Sequence, residues 1–147
     1  VLVLSSLNET KQLAEKIASF LTEENNLPIS IHLSGDLGTG KTTLVKEVLN
    51  CLGIENFINS PTFTLIEPYE INDLKIFHID LYRVEKITEL RAIGLEEYLQ
   101  EANSISFIEW PEKGSGFLKE PDIAISLDHH GETTRKCEIQ TSLGLNL

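Results

Sequence analysis

Basic residues and cysteines are scarce in this sequence of 147 residues. Twelve Lys and Arg stand against 23 Asp and Glu, so the formal net charge is −11. A broad nucleic-acid-binding face is built from Lys and Arg, so we expect no DNA binding, and any RNA would be held by a partner. Cys51 and Cys137 form no CxxC pair, which favours reduced, buried thiols and a cytoplasmic location.

Long hydrophobic runs are also missing. No apolar run approaches the roughly 18 residues that a membrane helix needs, so we expect no membrane association. The opening Val1-Leu2-Val3-Leu4 is too short for a signal peptide and lacks a basic n-region. The composition is 41% hydrophobic and 24% charged, which excludes a disordered or collagen-like chain. This length predicts one domain over residues 1–147 with a self-sufficient core.

Hydrophobic periodicity predicts alternating helices and strands in the first part of the chain. Ser6 and Glu9 fit a capping box ahead of an amphipathic helix over about residues 7–23. A short β-rich run predicts a strand at 29–33. Apolar residues at helical spacing then continue to Leu52, just before a glycine that suits a helix C-terminus.

The rest of the chain contains mostly strand patterns. Residues 62–70 and 74–80 predict an antiparallel hairpin because Asn72-Asp73 leaves so short a connection. Two short helices broken at Gly94 are predicted over 87–102. The remaining predicted elements are strands at 105–109, 123–127 and 136–141 and turns at 111–116 and 128–131. This order indicates an α/β fold, a three-layer domain with a mixed β-sheet.

Residues 35–42 match the phosphate-binding pattern GxxxxGK[ST] without a gap. The glycines allow a tight bend that brings backbone N–H groups against an anion, and the following helix points its positive end there. We expect Lys41 to reach the β- and γ-phosphates of a nucleotide and the Thr42 hydroxyl to coordinate Mg²⁺. An ordinary glycine-rich turn is the alternative, but a hydrophobic strand precedes this loop and an amphipathic helix follows, as a P-loop requires.

A P-loop needs an acidic partner for the metal, usually at the end of a hydrophobic strand. Asp80 and Glu109 both qualify. One would ligand the metal and the other would orient water, although each also fits a plain strand-terminal carboxylate. His78 interrupts the first of these strands, and we interpret it as one face of an alternating strand rather than as a ligand.

A missing guanine-specificity motif and a shortage of arginines limit which kind of nucleotide-dependent protein this chain can be. No Asn-Lys-x-Asp segment, typical of guanine-selective P-loop proteins, is present, which favours ATP over GTP. Only three arginines occur, whereas small-molecule kinases clamp the charge of an acceptor with several arginines on a lid. A kinase therefore fits poorly, and a non-hydrolysing sensor whose switch is ordered by the γ-phosphate is a third hypothesis.

Over about residues 6–142 the chain resembles the bacterial TsaE family, formerly YjeE, the ATPases of the tRNA threonylcarbamoyladenosine pathway. Four motifs carry the resemblance in the family's order: residues 35–42, 60–64, 78–83 and 108–111. The resemblance implies one P-loop domain that binds and hydrolyses ATP with Mg²⁺. It also implies assembly with the TsaD and TsaB subunits, which modify the adenosine next to the anticodon in ANN-decoding tRNAs, so that tRNA is contacted indirectly.

The resemblance also implies roles for individual residues. The nucleotide phosphates would be held by Leu37, Gly38, Thr39, Gly40, Lys41 and Thr42. Thr42 and Glu109 would ligand Mg²⁺, and Asp80 would be the Walker-B-like acid, so that Lys41, Asp80 and Glu109 form the catalytic set. Thr10 matches a position close to the base of the nucleotide. Thr39 stands where the family usually has alanine.

Four further features each admit two interpretations, and the resemblance assigns a fifth. Trp110 is either a ring near the nucleotide or a core aromatic, and Arg83 either faces the γ-phosphate or forms a structural ion pair. The acidic stretch 85–101 is either a solvated helical face or a docking surface. Residues 60–62 correspond to a switch-like segment of the family. The pair His129-His130 suggests a metal site, but its turn-like surroundings favour a solvated loop.

Overall fold

The computed structural model describes residues 1–54 and 65–145. The helices are α1 (Leu7–Glu23), α2 (Lys41–Cys51), α3 (Ile87–Ala92) and α4 (Leu95–Leu99), with a 3₁₀ turn at Pro111–Gly114. The strands are β1 (Leu2–Leu4), β2 (Ile29–Ser34), β3 (Ile66–Ile71), β4 (Leu74–Asp80), β5 (Ser104–Glu109), β6 (Ile123–His129) and β7 (Arg135–Thr141). The switch-like segment at 60–62 lies outside the described residues.

The seven strands form one mixed sheet in the order β1-β7-β6-β2-β5-β4-β3. The four central strands β6, β2, β5 and β4 run parallel, whereas β7, β1 and β3 pair antiparallel at the two sides. The carboxyl ends of β2, β4 and β5 therefore meet at one edge of the sheet. Leu33 pairs with Glu109 and Asp80 pairs with Glu109 at this edge, which brings both predicted acids to the end of β2.

Helices cover both faces of the sheet, as the predicted three-layer arrangement requires. Alternate residues of one strand point to opposite faces. Ile76 and Phe107 belong to the core formed with α1 and α2, and their neighbours Phe77 and Ile108 belong to the core formed with α3 and α4. By the same alternation, residues 78, 80 and 109 face α2.

Two local predictions are confirmed in atomic detail. The Ser6 side chain caps α1 by accepting a hydrogen bond from the Glu9 backbone N–H at 3.2 Å, while the Glu9 carboxylate accepts from the Ser5 N–H, one residue before the position that a capping box requires. The β3–β4 hairpin turns at Asn72 and Asp73, whose φ angles of 49° and 67° are both left-handed. Two successive left-handed residues define the turn that matches the twist of paired strands.

Several boundaries differ from the prediction. The strand β1 was not predicted, and it pairs antiparallel with β7. The predicted turn at 128–131 begins too early, since β6 continues to His129. Cys137 is buried as expected, but Cys51 is exposed on α2. Within residues 1–54 and 65–145, no helix combines the length and apolarity needed to cross a membrane.

Candidate nucleotide site

The predicted phosphate loop joins β2 to α2 and depends on glycine at both of its ends. Gly35 has a φ of 141°, and a Cβ placed there would lie 2.1 Å from the Leu127 carbonyl oxygen of β6. Gly40 caps α2 with a φ of 99°, a left-handed conformation that side chains disfavour. The loop therefore keeps its backbone close to β6 and aims the first N–H groups of α2 into its mouth.

Lys41 is the first residue of α2, and its side chain turns back over the loop. Its ammonium donates hydrogen bonds to the carbonyl oxygens of Gly35 and Asp36, the second at 3.0 Å. The same Nζ lies 4.3 Å from the centroid of the Trp110 ring, which in turn packs 4.9 Å from the ring of Tyr82. A cation over an aromatic face is attracted by the ring quadrupole, so Trp110 helps to hold the lysine in place.

Thr42 and Glu109 meet directly below the loop. The Thr42 hydroxyl lies 2.8 Å from each carboxylate oxygen of Glu109 and donates to them. On its other side, Glu109 Oε2 lies 2.6 Å from His78 Nε2. Glu109 is only 2% exposed and His78 is fully buried. The hydroxyl and the carboxylate are the oxygen donors that suit Mg²⁺.

The second acid, Asp80, lies beside Glu109 and accepts a hydrogen bond from the Tyr82 backbone N–H at 2.9 Å. Burial raises the pKa of Asp80, and the Glu109 charge adds to this, while the Tyr82 bond and the Lys41 charge oppose it. Burial also lowers the pKa of Lys41, against the pull of Glu109 and Asp80. One ammonium thus faces two crowded carboxylates, an environment that favours a further cation.

No group of three or more His, Cys, Asp or Glu able to hold a metal ion occurs among the described residues. This is compatible with Mg²⁺, which commonly takes one or two protein ligands and completes its shell with phosphate oxygens and water. His129 and His130 do not belong to any such group. His129 Nε2 instead lies 3.4 Å from the Leu37 carbonyl oxygen of the loop.

The loop separates two cavities. One, of about 330 Å³, is lined by residues 37–43 together with Asp80, Tyr82, Glu109 and Trp110. The other, of about 280 Å³, shares the loop glycines and is lined on its far side by residues that include Ser6, Thr10 and Arg135. Every predicted site residue therefore lines one of these two cavities: Thr10 lines the second, and Lys41, Asp80 and Glu109 line the first. A larger groove of about 670 Å³ between β3–β4 and α4 contains none of them.

Two contacts were missed by the sequence reasoning. His78, interpreted as one face of an alternating strand, lies on the face that packs against α1 and α2, and it touches Glu109. Its position two residues before Asp80 was the available signal, because both side chains must then share a face. Arg135 donates to the Gly38 carbonyl oxygen at 3.2 Å across 97 positions, and no local pattern indicates that contact.

Trp110 is the only tryptophan, so its emission reports on the site alone. Adding Mg-ATP or Mg-ADP is expected to change its fluorescence, because phosphates that attract Lys41 would alter the contact of the ammonium with the ring. The measurement is an emission titration with binding established in parallel by calorimetry. A flat titration despite confirmed binding would contradict the placement of the ring at the nucleotide.

A mixed sheet with a parallel centre, covered on both faces and with a phosphate loop between β2 and α2, defines a P-loop NTPase-like α/β fold. The crystal structure of Bacillus subtilis YdiB shares this fold, with a TM-score of 0.74 over 92% of this chain and 80% of that chain at 28% identity. The family model "Threonylcarbamoyl adenosine biosynthesis protein TsaE" matches residues 4–137, and the chain belongs to this family.

Curated relatives carry the same name. The "tRNA threonylcarbamoyladenosine biosynthesis protein TsaE" of Haemophilus influenzae is 41% identical over 97% of this chain and 89% of that protein. The protein of that name from Bacillus subtilis is 35% identical over 87% of this chain and 77% of that protein. These relatives support a role in tRNA threonylcarbamoyladenosine biosynthesis.

Proposed function

We propose that the chain is a cytoplasmic ATPase subunit that binds and hydrolyses Mg-ATP and acts with TsaD and TsaB in threonylcarbamoyl modification of ANN-decoding tRNAs. The observation that carries the proposal is the contact of Thr42 with Glu109 beneath Lys41. A hydroxyl, a buried carboxylate and a fixed ammonium at the mouth of a phosphate loop form the set that nucleotide hydrolysis needs.

In this proposal each group has a separate task. Residues 37–42 present backbone N–H groups to the phosphates, and Lys41 places a positive charge on the β- and γ-phosphates. Thr42 and Glu109 would hold Mg²⁺, which would neutralise charge on the phosphate oxygens. Asp80 is left to orient the attacking water, and its raised pKa makes it a better proton acceptor than an exposed aspartate.

The metal assignment is tested with the variants Thr42→Ala and Glu109→Ala. Each is expected to weaken ATP binding about tenfold or more in Mg²⁺ and to leave binding in EDTA nearly unchanged, because each removes one metal ligand. Calorimetry in the two buffers measures the difference. The control Glu47→Ala removes a carboxylate from α2 away from the loop and should bind as the wild type does.

A third variant, Asp80→Ala, tests the role of the second acid. We expect it to bind Mg-ATP and to lose turnover, since it orients water rather than metal. If Asp80→Ala instead loses Mg-ATP binding while Glu109→Ala keeps it, the roles of the two acids are reversed.

A further inference from the structure

We propose that His78 is a positioning residue: its Nε2–H holds the Glu109 carboxylate in the orientation that faces Thr42, and thereby sets the affinity of the site for Mg²⁺. The inference rests on the proposed function, since it assigns a residue to the same metal site. It concerns a side chain that would act through Glu109.

The sheet determines which groups can meet. His78 pairs with Phe107 and Asp80 pairs with Glu109 between the parallel strands β4 and β5. His78 therefore lies two residues before the pair of acids and on the same face of the sheet. From that place its ring reaches diagonally to the neighbouring strand and contacts Glu109 Oε2 at 2.6 Å.

Glu109 needs this second donor. A buried carboxylate is costly unless hydrogen bonds replace its water. The Thr42 hydroxyl lies 2.8 Å from both oxygens, but it has a single proton to share between them. His78 is the other side chain that lies within hydrogen-bond distance of Glu109 in the described part of the chain, and a carboxylate oxygen can only accept. Without it, the carboxylate would lose the bond that fixes its rotation.

The other ring nitrogen of His78, Nδ1, takes no part in the contact with Glu109. Nδ1 is buried and has no hydrogen-bond partner among the described residues. Because Nε2 meets a carboxylate, Nε2 is the ring nitrogen that donates, and Nδ1 makes no contact through which it could orient Glu109. The contribution of the ring to the site is therefore one donor at one position. A side chain that offers that donor alone should replace it.

Substitution of His78 by glutamine or by asparagine distinguishes a donor at the position of Nε2 from a donor at the position of Nδ1. The amide nitrogen of Gln lies as many bonds from Cβ as Nε2, whereas that of Asn matches Nδ1. His78→Asn is expected to raise the dissociation constant for ATP in Mg²⁺ about tenfold, the lower end of the loss seen when a supporting partner of a metal ligand is removed. His78→Gln is expected to stay within about threefold of the wild type. In EDTA all three proteins should bind ATP alike.

Calorimetry with ATP, in Mg²⁺ and in EDTA, tests these values on the full chain. The matched control His32→Asn changes a histidine of β2 that points to the opposite face of the sheet, and it should bind as the wild type does. The proposal is overturned if His78→Asn keeps wild-type affinity in Mg²⁺, if His78→Gln is as impaired as His78→Asn, or if the loss is equal in EDTA. A wild type that binds ATP equally in both buffers overturns the proposed metal site as well.

A measurement on the wild type covers the case in which His78→Asn does not fold. Nitrogen-15 NMR of the histidine ring reports which nitrogen carries the proton. A protonated Nε2 on His78 supports the proposal, and an unprotonated Nε2 overturns it.

Discussion

Replacing Lys41 by alanine is expected to reduce ATP turnover by about 10²-fold or more, the loss typical of removing one fixed donor from a developing phosphate charge. The side chain is 5% exposed and is held beside the loop by two loop carbonyls and the Trp110 ring, so its charge lies at the phosphate-binding loop before a nucleotide binds. A positioned charge of this kind needs no reorganisation during the reaction.

Phosphate release and ATP affinity are the two measurements for this variant. The matched control is Lys46→Ala, which removes a half-buried ammonium from the same helix beyond the loop. Wild-type turnover by Lys41→Ala would contradict the assignment of residues 35–42 as a working P-loop. A loss of turnover in both variants, with lowered melting temperatures, would point to a damaged helix instead.

The second large effect is expected on ATP hydrolysis when the proposed partners TsaD and TsaB are added. The isolated chain should hydrolyse ATP slowly, and the TsaD–TsaB pair should accelerate it. In the described part of the chain, no arginine lines the cavity that contains Lys41, Asp80 and Glu109. Arg135 lies at the neighbouring cavity, where it donates to the Gly38 carbonyl oxygen. An arginine supplied to a phosphoryl-transfer site raises the rate by about 10³–10⁵, which sets the scale of the expected stimulation.

The acidic surface around α4 is where we expect the pair to dock. Glu96 and Glu97 occupy the first turn of α4 and are exposed, whereas the nearby Glu101 is already paired with Lys75 at 2.7 Å. Reversing Glu96 and Glu97 to lysine should slow the encounter with a basic partner surface and reduce stimulation most at low salt. The control is the double change Glu23→Lys and Glu120→Lys, which alters net charge equally on other surfaces.

Steady-state ATPase rates with and without the pair decide between the outcomes. Fast turnover by the chain alone, unchanged by the pair, would contradict coupling. Stimulation that survives reversal of Glu96 and Glu97 would keep coupling and move the docking surface elsewhere. ATP consumption that depends on a small-molecule acceptor would indicate a kinase, and tight binding without turnover even with the pair would indicate a sensor.

Much of the fold could be predicted from the sequence because helix caps, turns and loops are specified by residues close together in the chain. The capping box at Ser6 and Glu9, the short Asn72-Asp73 connection and the glycine-rich loop each specify a conformation within a few residues. The strand β1 lacked such a signal. Three residues are too few to show a period, and β1 is stabilised by β7 near the other end of the chain.

The residues of the site could be predicted from the sequence, but the contacts between them could not. Asp80 and Glu109 could be found as acids that end hydrophobic strands. The alternation of β4 puts His78 on the face of Asp80, but it does not tell which pair of helices packs against that face. Trp110 could be placed next to Glu109, yet its left-handed φ of 58°, which is not a property of any sequence pattern, sets where its ring lies.

The order of strands in the sheet has a consequence for how the chain folds. The Thr42–Glu109 contact spans 67 positions, and the Arg135–Gly38 contact spans 97. Pairings between distant segments form slowly, because the entropy of closing each loop is lost before the contact stabilises anything. The acids on β4 and β5 reach the loop only when β5 pairs with β2, and Arg135 reaches Gly38 only when β7 joins the sheet. We therefore expect a nascent chain to gain affinity for the nucleotide only after β5 has been synthesised and paired with β2.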